Sequence, residues 1–328
     1  MKYEFFEILL VGCGKIMGVP KLGHRDNHIK AINHFKNLKI SACVDIDFKK
    51  AKLLAKELNC QSFSNLNDAI MNNRYDVVVL ATPDHQHFQQ ICQLILSINR
   101  PRVIFAEKPV CSKPSELEKL NELINTYNIE LLVNHTRRID PKYQNLEKKI
   151  QSKFLGEIVY INAYYYNGWL HNGIHIVDTL LYLFKDIIRW NNSWYAHDSD
   201  YFGDTSLNAL GSFVKSGASI NIAALEERHF QLLEIDLLFS QGRIRLYDFG
   251  NKCTIENKVR NDIGENVLQE EEQMFFLNNE ISPLTNAYGA ILDYLETNDR
   301  DIIRFCNFET IKSSMQSLFD IKIGMQHD

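Results

Sequence analysis

Short apolar runs alternate with longer amphipathic segments through the N-terminal part of the chain. Strands covered by helices on both faces are apolar throughout, so the runs at 8–11, 40–44, 76–81, 102–106 and 129–133 predict buried parallel strands. Helical spacing of apolar residues separates them, at 29–35, 48–58, 66–71 and 88–96 and from about Lys113 onward. We therefore predict an α/β fold with a doubly wound parallel sheet in this part of the chain.

The second half of the chain has strands in series. Segments rich in strand-forming residues lie at 158–166, 207–214, 218–225, 231–239 and 243–249, and the short turns between them favour a large, mostly antiparallel sheet. Helical patterns occupy 143–150, 174–184, 284–297 and the C-terminal end. We predict two domains, residues 1–136 with the doubly wound sheet and residues 137–328 as an α+β domain.

Composition excludes several classes of function. The chain has 328 residues, of which 45% are hydrophobic and 23% charged, which is typical of a globular protein of two domains. A net charge of −5 without a basic block excludes nucleic acid as the main partner, and no apolar run approaches the ~20 residues of a membrane span. Seven cysteines without a C-x-x-C pair indicate reduced thiols, and we expect a cytoplasmic protein.

A glycine-rich loop at 12–18 follows the first predicted strand directly. Gly12 permits a sharp turn, and Gly14 lets the backbone approach a pyrophosphate closely. The amides that open the next helix, from Lys15 and Ile16 onward, would face the phosphates. Met17 stands where a third glycine is usual, so a plain strand-to-helix turn is the alternative to a dinucleotide site.

Asp45 stands at the end of the second predicted strand. A carboxylate there accepts both ribose hydroxyls of an adenosine and repels a 2′-phosphate, which favours NAD over NADP. Its separation from the glycines exceeds the usual ~20 residues, and an insertion at 19–27 accounts for the excess. Lys49 and Lys50 leave NADP open as the cofactor, and a solvated carboxylate is the simpler alternative.

A second candidate group follows the strand at 102–106, where Glu107, Lys108 and Pro109 occur in succession. Ligands of open α/β sheets bind outside the carboxyl ends of the strands. Lys108 is therefore a candidate cation beside a bound ligand, although lysines at strand ends are usually only solvated.

The segment 169–178 holds the third group of candidates. On one continuous helix His171, His175 and Asp178 would share a face, at i, i+4 and i+7. His175 is then a candidate base whose ring Asp178 orients. A metal site lacks the glutamate of H-E-x-x-H and is the weaker alternative, and structural histidines are another. Tyr166 offers an aromatic face to a sugar or base, or packs in the sheet.

The order of these motifs resembles the Gfo/Idh/MocA family of glucose-fructose oxidoreductases and inositol dehydrogenases. The resemblance rests on the glycine loop and on the stretches 81–87, 107–109, 138–141 and 172–178. It implies an N-terminal Rossmann domain that binds NAD(P), a C-terminal domain built on a large sheet, and oxidation or reduction of sugars, cyclitols and related carbonyl compounds.

The resemblance also implies roles for single residues. Lys108 would hydrogen-bond the reacting oxygen and contact the nicotinamide ribose, and His175 would take the proton of the substrate hydroxyl. Thr82, Pro83, His87 and Glu107 would line the cofactor cleft. These roles agree with the chemistry, because an ammonium stabilises a developing alkoxide and keeps a neighbouring imidazole neutral.

Two departures affect the expected function. Many relatives carry an aspartate at the position of His171. Asn172-Gly173 resembles the residues at this place in relatives that act on nucleotide-linked sugars in surface glycan synthesis. We expect an NAD-dependent oxidoreductase that acts on a sugar, cyclitol or nucleotide-sugar, with no bound metal. Its substrate would contact Lys108, Tyr166, His171, Asn172 and His175.

Three alternatives stay open: an enzyme that retains its NAD through a full reaction cycle, a non-catalytic dinucleotide-binding sensor, and a metal hydrolase. The sensor is favoured by His171 in place of an acid. A homodimer or homotetramer is expected, because an exposed face of the C-terminal sheet needs covering.

Overall fold

The computed structural model describes residues 5–14, 16–18, 27–275 and 281–322. The chain forms two compact units, one of Met1–Asp140 with Ile281–Lys312 and one of Pro141–Glu280 with Ser313–Asp328. This division differs from the single boundary predicted after residue 136, because the chain returns to the first unit after residue 280.

The first unit contains a six-stranded sheet in the order β3-β2-β1-β4-β5-β6, and all its strands are parallel. The strands are β1 (Phe6–Val11), β2 (Leu38–Val44), β3 (Gln61–Phe63), β4 (Val77–Leu80), β5 (Val103–Ala106) and β6 (Glu130–Val133). The strand order reverses between β1 and β4, which is the switch point where such sheets bind ligands. The predicted doubly wound sheet is confirmed, and the three-residue β3 is an addition to it.

Helices connect these strands and cover the sheet. They are α1 (His28–Ile32), α2 (Phe48–Leu58), α3 (Leu66–Asn72), α4 (Asp84–Leu96), α5 (Pro114–Tyr127) and α6 (Thr136–Ile139). Helix α9 (Pro283–Thr297) and the 3₁₀-helix Arg300–Cys306 also belong to this unit. Leu284, Tyr288 and Ile291 of α9 are buried with Ile32 and Phe105 in one apolar cluster, which explains why this C-terminal helix joins the first unit.

The second unit contains an eight-stranded sheet in the order β14-β13-β12-β11-β7-β10-β9-β8. Its strands are β7 (Ile158–Tyr166), β8 (Ile188–Asp198), β9 (Thr205–Phe213), β10 (Ser219–Leu225), β11 (Glu234–Phe239), β12 (Gly242–Tyr247), β13 (Lys252–Arg260) and β14 (Asn266–Phe275). Neighbouring strands are antiparallel except β7 and β10, which are parallel. The predicted, mostly antiparallel sheet is confirmed.

One face of this sheet is the core of the second unit. Ile161, Ala163 and Tyr165 of β7 are completely buried, and Tyr164 and Tyr166 on the opposite face are half-buried. The alternation predicted for the three tyrosines is therefore confirmed. Helices α7 (Pro141–Gln151) and α8 (Ile174–Phe184) belong to this unit, and α10 (Phe308–Phe319) runs across the boundary between the two units. Within the described ranges, no helix is long and apolar enough to cross a membrane.

Candidate active site

The glycine-rich loop lies against the end of β4. The Gly12 N–H donates to the Val44 carbonyl at 2.8 Å, and the Gly12 φ is +90°. A Cβ at Gly12 would lie 2.4 Å from the Ala81 carbonyl oxygen, whereas one at Gly14 would meet no atom of the described residues within 4 Å. Gly12 is therefore required by the fold, and Gly14 leaves open space beside the loop. Ile16 is exposed, and Lys15 lies outside the described residues.

This difference gives a matched pair of variants. Gly12→Ala is expected to destabilise the free protein by about 2 kcal/mol or more, because the φ of this residue is positive and the new Cβ would clash with the backbone of Ala81. Gly14→Ala should leave the melting temperature of the free protein unchanged and weaken NADH binding, because the methyl group occupies space that the pyrophosphate approaches. Thermal denaturation and NADH titration of both variants measure this, and equal melting temperatures for the two variants would contradict it.

Asp45 lies beside the same loop. One carboxylate oxygen accepts the Cys13 N–H at 2.8 Å, and the other accepts the Asp47 N–H at 2.8 Å. Each oxygen keeps a further lone pair, which is what two ribose hydroxyls require. The structure therefore brings Asp45, Gly12 and Gly14 together at the carboxyl edge of the sheet.

The turns that follow β4 and β5 are joined by His87. This ring is completely buried, with Nδ1 2.7 Å from the Pro109 carbonyl oxygen and Nε2 2.8 Å from the Thr82 carbonyl oxygen. The Thr82 hydroxyl donates to Gln90 Oε1 at 2.6 Å, and Pro83 precedes the first residue of α4. His87 thus contacts the backbone on both sides of its ring, a role that its motif did not indicate.

Glu107 belongs to a buried network that the sequence analysis missed. Its Oε1 lies 3.0 Å from His28 Nε2 and accepts the Asn134 amide N–H at 2.7 Å, and His28 Nδ1 lies 2.7 Å from the Tyr288 hydroxyl. Burial acts to raise the pKa of Glu107, but the hydrogen bonds and charge of His28, with help from Asn134 and Lys108, lower it below its usual value. Glu107 is therefore a carboxylate at neutral pH, and half-buried Lys108 follows it at the edge of the sheet.

The second unit carries the other candidates, and here one prediction is wrong. Trp169–Gly173 forms a π-helical turn, and α8 begins only at Ile174. His171 is in the π turn and His175 is in α8, so the predicted i, i+4, i+7 face of one α-helix does not exist. His175 is half-buried, and the buried Asp178 accepts a hydrogen bond from Ser314 at 2.7 Å.

Asp204 determines the start of this turn. Its carboxylate accepts the backbone N–H groups of Leu170 at 3.0 Å, His171 at 2.9 Å and Thr205 at 2.8 Å. Burial raises the pKa of Asp204, and the backbone hydrogen bonds oppose that rise only in part. The His171 ring stacks on Tyr201 with ring centres 3.3 Å apart. No spacing rule connects residues so far apart in sequence, and neither Asp204 nor Tyr201 was predicted.

Asn172 connects the end of β7 to the turn. It is buried, and its amide N–H groups donate to the carbonyl oxygens of Tyr166 at 2.8 Å and Asn167 at 3.1 Å. Burial and the charge of Glu227 raise the pKa of Tyr166, and a hydrogen bond with Asn172 acts in the opposite direction. Tyr166 and Asn172 thus lie together at the end of β7.

The candidates form one group in each compact unit. The cofactor candidates and Lys108 lie at the carboxyl edge of the parallel sheet, and the substrate candidates Tyr166, His171, Asn172 and His175 lie after β7. The approach of Lys108 to His175 stays a prediction. Among the described side chains, no three His, Cys, Asp or Glu groups are arranged to hold a metal ion.

Comparison with known proteins agrees with this geometry. Residues 6–135 match the family model GFO_IDH_MocA, described as an oxidoreductase family with an NAD-binding Rossmann fold. Residues 6–135 are therefore similar to the NAD-binding Rossmann domain of this oxidoreductase family, in agreement with the resemblance in the order of the motifs.

Two curated relatives show how similar the sequence of this chain is to known proteins. An uncharacterised oxidoreductase of Streptococcus pneumoniae is 20% identical over 253 residues, which are 70% of this chain and 65% of that protein. Inositol 2-dehydrogenase of Corynebacterium glutamicum is 28% identical over 182 residues, which are 53% of this chain and 52% of that protein. The matches thus span less than two thirds of the length of these relatives.

A solved structure is similar over nearly the whole chain. The WlbA dehydrogenase from Bordetella pertussis, in complex with NADH and UDP-GlcNAcA, has a TM-score of 0.74 and 18% identity, and the match covers 97% of this chain and 95% of that one. At this identity the likeness shows a shared fold in both the parallel and the mostly antiparallel sheet.

Proposed function

We propose that the protein is an NAD-dependent oxidoreductase that acts on a CH–OH group or the corresponding carbonyl of a sugar, cyclitol or nucleotide-sugar. The observation that supports this proposal is the bond between Asp45 and the Cys13 N–H, because it holds the carboxylate proposed to bind the ribose against the loop proposed to bind the pyrophosphate. NAD bound at this edge of the sheet supplies the hydride acceptor or donor. Inositol dehydrogenases among the relatives support the substrate class.

The chain's own residues supply the rest of the chemistry. The Lys108 ammonium hydrogen-bonds the reacting oxygen and stabilises negative charge as the hydroxyl loses its proton. His175 takes that proton in the oxidative direction and returns it in the reverse direction. Tyr166, His171 and Asn172 form the side of the substrate site that belongs to the second unit.

A nucleotide-sugar is the narrower form of this proposal. Its support is the UDP-GlcNAcA in the complex of the WlbA dehydrogenase and the aromatic stack of His171 on Tyr201, in the turn that precedes α8. Stacked rings offer an apolar surface to a sugar ring or a nucleobase. A role in surface glycan synthesis would follow from such a substrate.

A melting-temperature screen tests the cofactor and the substrate together. NAD or NADH is expected to raise the midpoint more than NADP or NADPH at equal concentration, because Asp45 repels a 2′-phosphate. A ligand at 100 times its Kd stabilises the folded protein by about 2.7 kcal/mol. In the matched control Asp45→Ser, the preference for NAD should decrease or reverse. Equal or larger shifts with NADPH in the unaltered protein would contradict the assignment to NAD.

The second candidate function is a dinucleotide-binding sensor, which would bind NADH in the same screen. Assayed with a panel of sugars, cyclitols and nucleotide-sugars, the proposed enzyme would give hydride transfer, whereas a sensor would not. The observation that favours it is His171, which occupies the position of an acid in many relatives and stacks on Tyr201. NAD that copurifies and is not consumed would instead identify an enzyme that retains its cofactor.

We also propose that the chain forms a homodimer or homotetramer. The side of the eight-stranded sheet opposite the core exposes Tyr160 and Leu210, each 38% accessible, in an area that a second copy would cover. Sedimentation velocity measures the particle mass directly, and a monomer at micromolar concentration would contradict this proposal.

A further inference from the structure

The turn that carries Lys108 is flanked by two buried histidines. His28 contacts Glu107, the residue before Lys108, and His87 contacts the carbonyl of Pro109, the residue after it. Both rings are 0% exposed, so neither can serve as a group that meets substrate directly. Their contacts are instead with the two neighbours of the proposed reactive lysine.

His28 has its hydrogen bonds and its packing satisfied at the same time. A carboxylate only accepts, so Nε2 carries the proton donated to Glu107 over 3.0 Å, and Nδ1 forms a hydrogen bond of 2.7 Å with the Tyr288 hydroxyl, which can donate or accept. The ring is edge-on to Phe105, with centres 5.7 Å apart, and to Tyr288, with centres 5.9 Å apart. Because both nitrogens of the His28 ring are hydrogen-bonded and its edges are packed, the ring is held in one orientation.

The Glu107 carboxylate is held at one of its oxygens. His28 and Asn134 both bond to Oε1, at 3.0 Å and 2.7 Å, and Oε2 receives neither bond. Asn134 follows β6 directly, and Glu107 follows β5, so the two side chains connect the ends of neighbouring strands. The side chain of residue 107 is therefore attached to α1, β6 and, through Tyr288, α9.

His87 holds the other side of the turn. Its two nitrogens face the carbonyl oxygens of Thr82 and Pro109, at 2.8 Å and 2.7 Å, and both of these groups only accept. The ring therefore connects the turn after β4 to the turn after β5.

We propose that His28 and His87 are positioning residues for Lys108, acting through the Glu107 carboxylate and through the Pro109 carbonyl. The inference rests on the proposed function in assigning Lys108 to the reaction. The attachment of the turn itself is independent of that assignment. Loss of either histidine does not remove Lys108, but it frees the backbone on one side of this residue. The position of the Lys108 ammonium then becomes more variable.

A chemical probe of Lys108 tests the attachment without a substrate. Acylation by an N-hydroxysuccinimide ester, followed by mass spectrometry, gives the rate at Lys108 relative to exposed Lys113, an internal reference in the same segment. We expect His28→Leu and His87→Leu to change this ratio severalfold. His28→Gln, which keeps an N–H for Glu107, should restore most of it. Rescue by glutamine separates positioning from general loss of packing.

NADH titration is the second readout. His28→Leu should weaken NADH binding severalfold, because it releases Glu107, which is proposed to line the cofactor cleft, and glutamine should recover most of the loss. In a Glu107→Gln background His28→Leu should add little, since it acts through that carboxylate. Glu130→Gln is the matched control, because Glu130 is also buried but is the first residue of β6, at the amino ends of the strands. Its carboxylate lies 2.6 Å from the Arg300 guanidinium.

The outcomes separate the two proposals. If folded His28→Leu and His87→Leu keep the normal ratio of Lys108 to Lys113 acylation and the normal Kd for NADH, the positioning role is wrong. If the unaltered protein does not bind NADH, the proposed function fails, and the acylation ratio still decides the attachment. Should His28→Leu fail to fold, Tyr288→Phe takes its place, because it removes only the hydroxyl behind His28 and keeps the packed ring.

Discussion

Lys108→Ala is expected to lower turnover by about 10³-fold while NADH binds with nearly unchanged affinity. The reason is the place of this side chain in the reaction. A group that stabilises the developing alkoxide acts in the transition state, so its removal lowers kcat and kcat/KM together. The glycine loop and Asp45, which are proposed to hold the phosphates and the ribose, are not altered by the change.

The measurement combines the rate of NADH formation, with the substrate that the screen identifies, and calorimetric titration of NADH. Lys113→Ala is the control, because Lys113 is exposed a few residues along the same segment and should have normal turnover. Lys108→Arg keeps the charge but changes the shape of the donor, and we expect it to recover only a small part of the activity. Turnover of Lys108→Ala within tenfold of normal would exclude Lys108 from the reaction.

Much of the first unit could be predicted because its strands are buried on both faces. Val103–Ala106 is completely buried, so the apolar run in the sequence corresponds to the strand itself. The polar residue types that follow such runs then lie at the carboxyl edge, where Asp45, Thr82 and Lys108 are found. Position at a strand end is a local property, so the placement of these three residues at the carboxyl edge could be predicted from local pattern.

The strands of the second unit that the hydrophobic pattern did not predict are less apolar than those of the first unit. β8, β13 and β14 were not predicted, and their residues are largely polar, as in the run of three glutamates at 270–272. β8 and β14 are the two edge strands of the eight-stranded sheet, and β13 pairs with β14. An edge strand has one neighbour and packs less apolar surface, so the hydrophobic pattern that predicts central strands is weak there. The π turn before α8 was missed for another reason, since helical spacing assumes α geometry throughout.

The supporting contacts of the site could not be predicted because they join distant parts of the sequence. Tyr288 lies in a helix that returns to the first unit after the whole second sheet, and it is linked to Glu107 through His28. Asp204 likewise binds the backbone of Leu170 and His171 from the loop between β8 and β9. Motifs identify residues that meet ligands, whereas the side chains that hold them follow from the tertiary fold alone.

The chemistry thus divides between the two units. The parallel sheet holds the proposed cofactor site and the ammonium, and the second unit holds the proposed base, so each half has separable tests. Variants of Gly14 and Asp45 should act on NADH binding, and variants of the segment after β7 should act on turnover. A change that affects both at once is expected for the contacts that hold the turn of Glu107 and Lys108, such as the bond of His28 to Glu107.

His175→Gln is expected to lower kcat by about 10²–10⁴-fold, because a positioned base contributes about that much to proton transfer. The amide of glutamine can still hydrogen-bond a substrate hydroxyl but cannot take its proton. KM and the Kd for NADH should therefore change little. His175 is half-buried in the first turn of α8, a helix whose apolar residues fill the core, so the exchange should also cost little stability.

The pH dependence separates loss of a base from loss of a contact. In the oxidative direction, kcat/KM of the unaltered protein should fall on the acid side as the base becomes protonated, and this limb should disappear in His175→Gln. His229→Gln is the control, since His229 is exposed in the same unit and should keep the limb. His171→Ala should lower turnover less than tenfold, because its ring stacks on Tyr201 and we assign it no proton transfer. If His171→Ala removes the acid limb and His175→Gln keeps it, the base is His171, and the departure from the family aspartate becomes the centre of the mechanism.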